Sequence, residues 1–165
     1  MEILIRSERI LLAAISPGDL EPLLQLAGDE RVMKFFPKVL DRSEAEAMLR
    51  KIINQYALYG HSFWKIVGAR GTEFIGIAGL LHQVVDGNEE TEISYRVLPQ
   101  FWKQGYASEA ALLCKTYARD VLKKTRIISL IRPENVPSQG VAKKLGAVIE
   151  KRVMFGGYPH DVWVY

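Results

Sequence analysis

Hydrophobic and polar positions recur with two different periods along this chain, and the switches between them outline its elements. Arg9 to Ile15 is a compact apolar run that reads as a strand. It leads into Ser16-Pro17-Gly18-Asp19, where Ser is a good N-cap and Pro suits the first helical position. A second helix is expected from Ser43, whose spacing to Glu46 has the form of a capping box. Beyond it Met48, Leu49, Ile52, Ile53, Tyr56 and Tyr59 recur at helical spacing. His61 to Ala69 and Glu73 to His82 read as strands joined at the Arg70-Gly71 turn. Asp86 to Glu90 reads as a polar loop ahead of a strand from Thr91 to Leu98.

In the second half Ala107, Ala110, Cys114, Tyr117 and Val121 step by three or four residues, which predicts an amphipathic helix from Tyr106 to about Leu122. Arg126 to Ile131 is a short strand rich in β-branched residues. Val136 to Leu145 reads as a helix stopped by Gly146, and residues 148–155 and 159–165 as two closing strands around Gly156-Gly157. The order β-α-α-β-β-β-α-β-α-β-β implies an α/β fold with a mixed sheet, antiparallel at first and parallel where each helix makes a crossover.

With 165 residues, 48% of them hydrophobic, the chain suits a single domain spanning residues 1–165 with a substantial core. Its apolar runs fall short of the ~18 residues of a membrane span, and its start lacks the basic region and cleavage site of a secretory signal. A cytoplasmic protein is expected. The single cysteine, Cys114, excludes an internal disulfide and a multi-cysteine metal site, and its place on the apolar stripe of a helix points to packing. No metal is expected.

Charge refines the picture. Residues 1–95 hold 10 Lys and Arg against 14 Asp and Glu, whereas residues 96–152 hold 12 against 4. A basic second half suits a polyphosphate ligand, and an acidic first half suits a cationic amine. The absence of a dense Lys/Arg run with interleaved aromatics argues against nucleic acid.

The basic half contains the most informative segment, Trp102-Lys-Gln-Gly-Tyr-Ala-Ser-Glu-Ala110, a small-residue turn that follows a strand and opens a helix. With little side-chain bulk at Gly105 and Ala107, the N–H groups from Lys103 to Ser108 can converge on an anion at the positive end of that helix. A second strand-to-helix junction, Arg132 to Gly146, follows at the distance of a neighbouring βα unit.

Together these segments resemble the GNAT acetyltransferase superfamily, in particular its branch of ribosomal-protein alanine N-acetyltransferases. Trp102 to Ala110 is similar to that branch's pyrophosphate loop, and Asn135, Ser138, Lys144 and Gly146 match its Asn-x-x-Ser and Lys-x-Gly elements. Arg6 to Leu12 resembles its opening strand, and Gly157 to Val162 its last hairpin. The resemblance implies a GNAT-like mixed, centrally splayed sheet flanked by helices, with Thr91 to Leu98 and Arg126 to Ile131 as the splayed strands. Acetyl-CoA is the implied cosubstrate. Lys103, Gln104, Gly105, Tyr106, Ala107 and Ser108 would bind its pyrophosphate, with Val97, Asn135 and Ser138 on the pantetheine side.

Many members carry a general-acid Tyr seven residues after the Asn. This chain has Ala142 there, which leaves Ser138 as the candidate acid. The superfamily also often has Gln or Arg where Trp102 stands, so the phosphates would receive less side-chain help. For the base, Glu92 shares a strand face with Ser94 and Arg96, and either faces the substrate or pairs with Arg96. His82 and His160 are the other candidates for the base. A hydrolase built from Ser138, His160 and Asp161 lacks the Gly-x-Ser-x-Gly elbow.

The implied reaction is direct transfer of acetyl to a primary amine, the acceptor being a protein N-terminus on resemblance alone. A small amine (an antibiotic or polyamine) and a non-catalytic coenzyme A-binding sensor are the alternatives. The acceptor is expected to meet Phe35 to Leu40 and the hairpin near Tyr158. Neither a nucleic acid nor a membrane partner is expected, and a homodimer is admitted.

Overall fold

A computed structural model of the chain describes every residue from Met1 to Tyr165. In chain order the elements are β1 (Ile3–Arg6), β2 (Ile10–Ala14), α1 (Leu20–Ala27), α2 (Arg42–Tyr59), β3 (Phe63–Gly68), β4 (Phe74–Val85), β5 (Asn88–Val97), α3 (Tyr106–Asp120), β6 (Ile128–Ile131), α4 (Val136–Lys144), β7 (Val148–Phe155) and β8 (Tyr158–Val164). The strands form one sheet in the order β1-β2-β3-β4-β5-β6-β8-β7. The fold is mixed α/β and GNAT-like, with a mostly antiparallel eight-stranded sheet and four flanking helices. No helix is long and apolar enough to cross a membrane.

Several expectations from the sequence shift. The chain opens with a hairpin, β1 against β2, so one strand precedes the expected first one. Ser16 opens only a short 3-10 turn, where the Asp19 carboxylate accepts from the Ser16 N–H at 2.7 Å and takes the Lys65 ammonium at 2.8 Å. Helix α2 begins two residues earlier than Ser43 implied: Asp41 is the cap, with its side chain accepting from Glu44 N–H at 2.9 Å and Glu44 returning the contact. The loop expected over 86–90 is instead a two-residue turn. Asp86 and Gly87, at φ 48° and 77°, reverse the chain as a tight Asp-Gly hairpin, so β4 runs on to Val85 and β5 starts at Asn88. The second expected parallel crossover is also absent, because β8 inserts between β6 and β7 and pairs antiparallel with both.

The two faces of the sheet carry separate cores. Helices α1 and α2 pack Leu23, Leu26, Leu49 and Ile52 against Phe63 and Ile77, while α3 packs Ala110, Ala111, Cys114 and Ala118 against Trp64, Leu80 and Ile93. Small residues on α3 bring the helix close to the sheet, and burial raises the Cys114 thiol far above its ordinary range, which leaves it inert. Val121, expected on this stripe, lies past the helix end and is exposed.

Strands β5 and β6 run parallel but share a single registered pair, Glu92 with Ile128. Beyond it side chains span the gap. Ser129 Oγ donates to the Ile93 carbonyl at 2.8 Å, Leu130 N–H donates to the Glu92 carboxylate at 3.1 Å, and Tyr95 Oη donates to the Ser138 carbonyl at 3.3 Å. This splay opens the sheet beneath the candidate site.

Candidate active site

Past β5 the chain folds back on itself, and Trp102 Nε1 donates to the Val97 carbonyl at 2.7 Å. Trp102 therefore fixes the loop to the strand end. Lys103 and Gly105 both take positive φ, 59° and 83°, and this alternation turns successive N–H groups toward one side. None of the amides from Lys103 to Ser108 has an acceptor in the chain; the first that does is Glu109, which donates to the Gly105 carbonyl at 3.0 Å. Six donors in a row at the start of a 15-residue helix have the form of an anion cradle.

Arg9 braces that cradle from across the sheet. Its Nη1 donates to the Gln104 carbonyl at 3.0 Å, its Nε to the Glu109 carboxylate at 2.7 Å, and its guanidinium lies 4.7 Å from the Tyr106 ring centre. Sequence spacing offers no signal for this role, since the contact joins residues about a hundred positions apart.

A cleft of about 690 Å³ extends from the turn, lined by Val97, Lys103, Gly105, Tyr106, Ala107 and Ser108 among others. A smaller compartment of about 210 Å³ adjoins it over the splay. Phe35, Phe36, Tyr95, Arg96, Asn135 and Ser138 line both. Of the residues singled out in the sequence, Gln104 points its side chain away from the cleft toward the Gln100 carbonyl. Its carbonyl is the one Arg9 holds.

Asn135 is the N-cap of α4, and its Oδ1 accepts from Ser138 N–H at 3.3 Å. Both backbone groups of Ser138 are thus engaged, by Asn135 and Tyr95, while its hydroxyl makes no bond in the chain; the residue lines both compartments. Ala142 is fully buried against Ile131, Ala147 and Trp163, so no side chain reaches the site from that position.

Glu92 lies only in the smaller compartment, 7% exposed. It makes no ion pair with Arg96. Its carboxylate instead accepts from Gln83 Nε2 at 3.0 Å and from Leu130 N–H at 3.1 Å. Burial raises its carboxyl to about 7, only partly offset by these donors and by the Arg96 charge. Arg96 is likewise held down to about 10 by burial, its guanidinium 3.9 Å from the Phe36 ring centre.

The two histidines part company. His160 lines the smaller compartment, with Nδ1 2.9 Å from the Tyr158 carbonyl. His82 lines neither compartment; it stacks on Tyr59 and reaches toward Glu89, which removes it from the candidates. A Ser-His-Asp relay is not formed, because Asp161 pairs with Arg152 at 2.8 Å. Phe35, Phe36, Pro37 and Tyr158 do border the smaller compartment.

A family model of the acetyltransferase (GNAT) domain matches residues 9–148. The chain belongs to the GNAT acetyltransferase family. It is 25% identical to the uncharacterised N-acetyltransferase YoaA of Bacillus subtilis (strain 168), over 98% of this chain and 94% of that one. The structure of a GNAT-family acetyltransferase from Bacillus anthracis is 26% identical, with a TM-score of 0.80 over 100% of this chain and 96% of the other. RimL, a ribosomal L7/L12 alpha-N-protein acetyltransferase solved without ligand, shares the fold at a TM-score of 0.82 and 16% identity, over 99% and 93% of the two chains. GNAT acetyltransferases use acetyl-CoA and an amine acceptor, and this chain is an N-acetyltransferase of that family.

Proposed function

We propose that this GNAT N-acetyltransferase holds acetyl-CoA with its pyrophosphate on the amides of Lys103 to Ser108 and its pantetheine arm along Val97 and the splay. The acceptor amine then enters the smaller compartment. The row of six unbonded amides at the start of α3 is the observation that carries this reading. Gly105 serves as the small residue that lets a phosphate approach the backbone.

In this reading Glu92 takes the proton that the amine must lose, directly or through water. A carboxyl near 7 is half ionised at neutral pH and suits the task. The neutral amine attacks the thioester carbonyl, forming the N–C bond. The C–S bond breaks and the departing thiolate takes the proton of the Ser138 hydroxyl; the acetylated nitrogen sheds its extra proton through water to restore that hydroxyl, and Glu92 releases its own proton to solvent. Asn135 fixes Ser138 through the helix cap.

We infer a protein or peptide N-terminus as the leading acceptor, in line with the motifs shared with the ribosomal-protein branch. A small amine is the second reading, favoured by the 210 Å³ of the smaller compartment, which admits only a residue-sized group. Hydrogen exchange tests the cofactor assignment. The amides of residues 103–108 should exchange fast in the free protein and become protected by acetyl-CoA. Protection confined to other segments would refute the placement, and protection without turnover on any amine would favour the sensor alternative.

A further inference from the structure

Five of the protein's eleven arginines pair with a carboxylate and six do not, and two of those six line the smaller compartment. Arg9, Arg31, Arg42, Arg126 and Arg152 each pair with a carboxylate. Arg96 and Arg132 pair with none, although both line the smaller compartment. The Nε atom of each is buried with no hydrogen-bond partner. Aromatic rings hold them instead: Arg96 lies over Phe36, and Arg132 sits 3.7 Å from the Tyr158 ring centre. A guanidinium whose Nε is buried and unpartnered is suited to an anion from outside the chain, and its planar fork is shaped for a carboxylate.

Resting on the acetyltransferase reading above, we propose that the smaller compartment selects amines that also carry a carboxylate, with Arg96 and Arg132 receiving the carboxylate and Glu92 the amine. Glu92 is the one carboxylate lining this compartment, so a polyamine would bring several positive charges to a site already holding two. The other carboxylates of residues 1–95 do not line it. An amine and a carboxylate in one small molecule or one chain end match the charges present. The carboxylate has two sources, the α-carboxylate of a free amino acid or the side chain of an acidic residue next to a peptide's N-terminus.

The test uses matched pairs in the presence of acetyl-CoA, with release of the coenzyme A thiol as readout. Free amino acids are compared with their amides, and tripeptides bearing Glu at the second position with those bearing Gln; spermidine is the polycationic control. The carboxylate member of at least one pair should be preferred tenfold or more in kcat/KM, and which pair responds identifies the source. Arg132→Met, in a residue that lines only the smaller compartment, should erase that preference while acetyl-CoA affinity by calorimetry stays unchanged. Arg96→Met provides a second variant if the first fails to fold. Equal rates within every pair, or a preference that survives both substitutions, would overturn the proposal. Should no amine be acetylated, the catalytic reading fails separately; calorimetric titration of glutamate and of glutamine amide into the coenzyme A-loaded protein then decides the inference. Carboxylate-dependent binding lost in Arg132→Met supports it, and its absence refutes it.

Discussion

Replacing Glu92 by glutamine removes a proton-binding site while keeping the shape of the side chain. The amide oxygen can still accept from Leu130 N–H, and Gln83 can turn its own amide to accept from the new one, so both present contacts have a counterpart. Burial lifts this carboxyl from its ordinary 4.5 to about 7. Between those values the folded chain keeps the proton and the unfolded chain has released it, so stability falls as pH rises through that window. At about 1.4 kcal/mol per pH unit the loss amounts to about 3 kcal/mol by pH 8, and the glutamine variant escapes it. Urea unfolding of parent and variant from pH 4 to 8 measures the difference directly. The variant's stability relative to the parent should climb by about 3 kcal/mol across the window and level off above it. Parallel curves would show that Glu92 ionises as freely in the folded state as in the unfolded one, which would refute its burial and remove the reason for naming it the base. The same variant should lose turnover most at low pH and approach the parent at high pH, where the amine deprotonates unaided. A profile lowered equally at all pH values would make Glu92 a positioning residue.

Gly105→Val should lower acetyl-CoA affinity at least tenfold by calorimetry while Lys103→Ala has a modest effect; φ at Gly105 is 83°, a conformation that costs a residue with Cβ about 1–2 kcal/mol, and the added side chain would stand over the row of amides. Ser138→Ala should reduce kcat with little change in acetyl-CoA affinity, and full turnover would exclude its role as acid. Asn135→Ala should destabilise the fold by about 0.5–2 kcal/mol through loss of the α4 cap and also weaken catalysis, with urea unfolding and steady-state kinetics as the two readouts.

Local chemistry was the legible part. The start of α3, the Gly146 stop and the alternation along β5 follow from neighbours in sequence, and the structure keeps all three. Where two local signals competed, tertiary contacts chose between them. Asp41-x-x-Glu44 and Ser43-x-x-Glu46 both have capping-box form, and the first prevails with Lys38 paired to Glu44. The Asp86-Gly87 turn was readable but masked by the polar residues after it, which lie within the hairpin strand β5. Within the candidate site, Arg9, Arg96 and Arg132 acquire their places from contacts between segments far apart in the chain. Alternation put Arg96 beside Glu92, yet nothing local could say that the two would not pair.

The two compartments differ in how they are assembled. The anion cradle comes from one continuous stretch of backbone, whose donors are indifferent to side-chain identity so long as the turn keeps its shape. The smaller compartment is gathered from Phe35 to Pro37, the middle of the sheet, the start of α4 and the tip of the last hairpin. If the two compartments take the roles proposed for them, an inherited change at that hairpin tip redraws which amine is accepted while the machinery for holding the acetyl donor passes unaltered to the descendant. In such a protein new substrates are reached by editing the periphery, and the donor chemistry travels as a fixed inheritance.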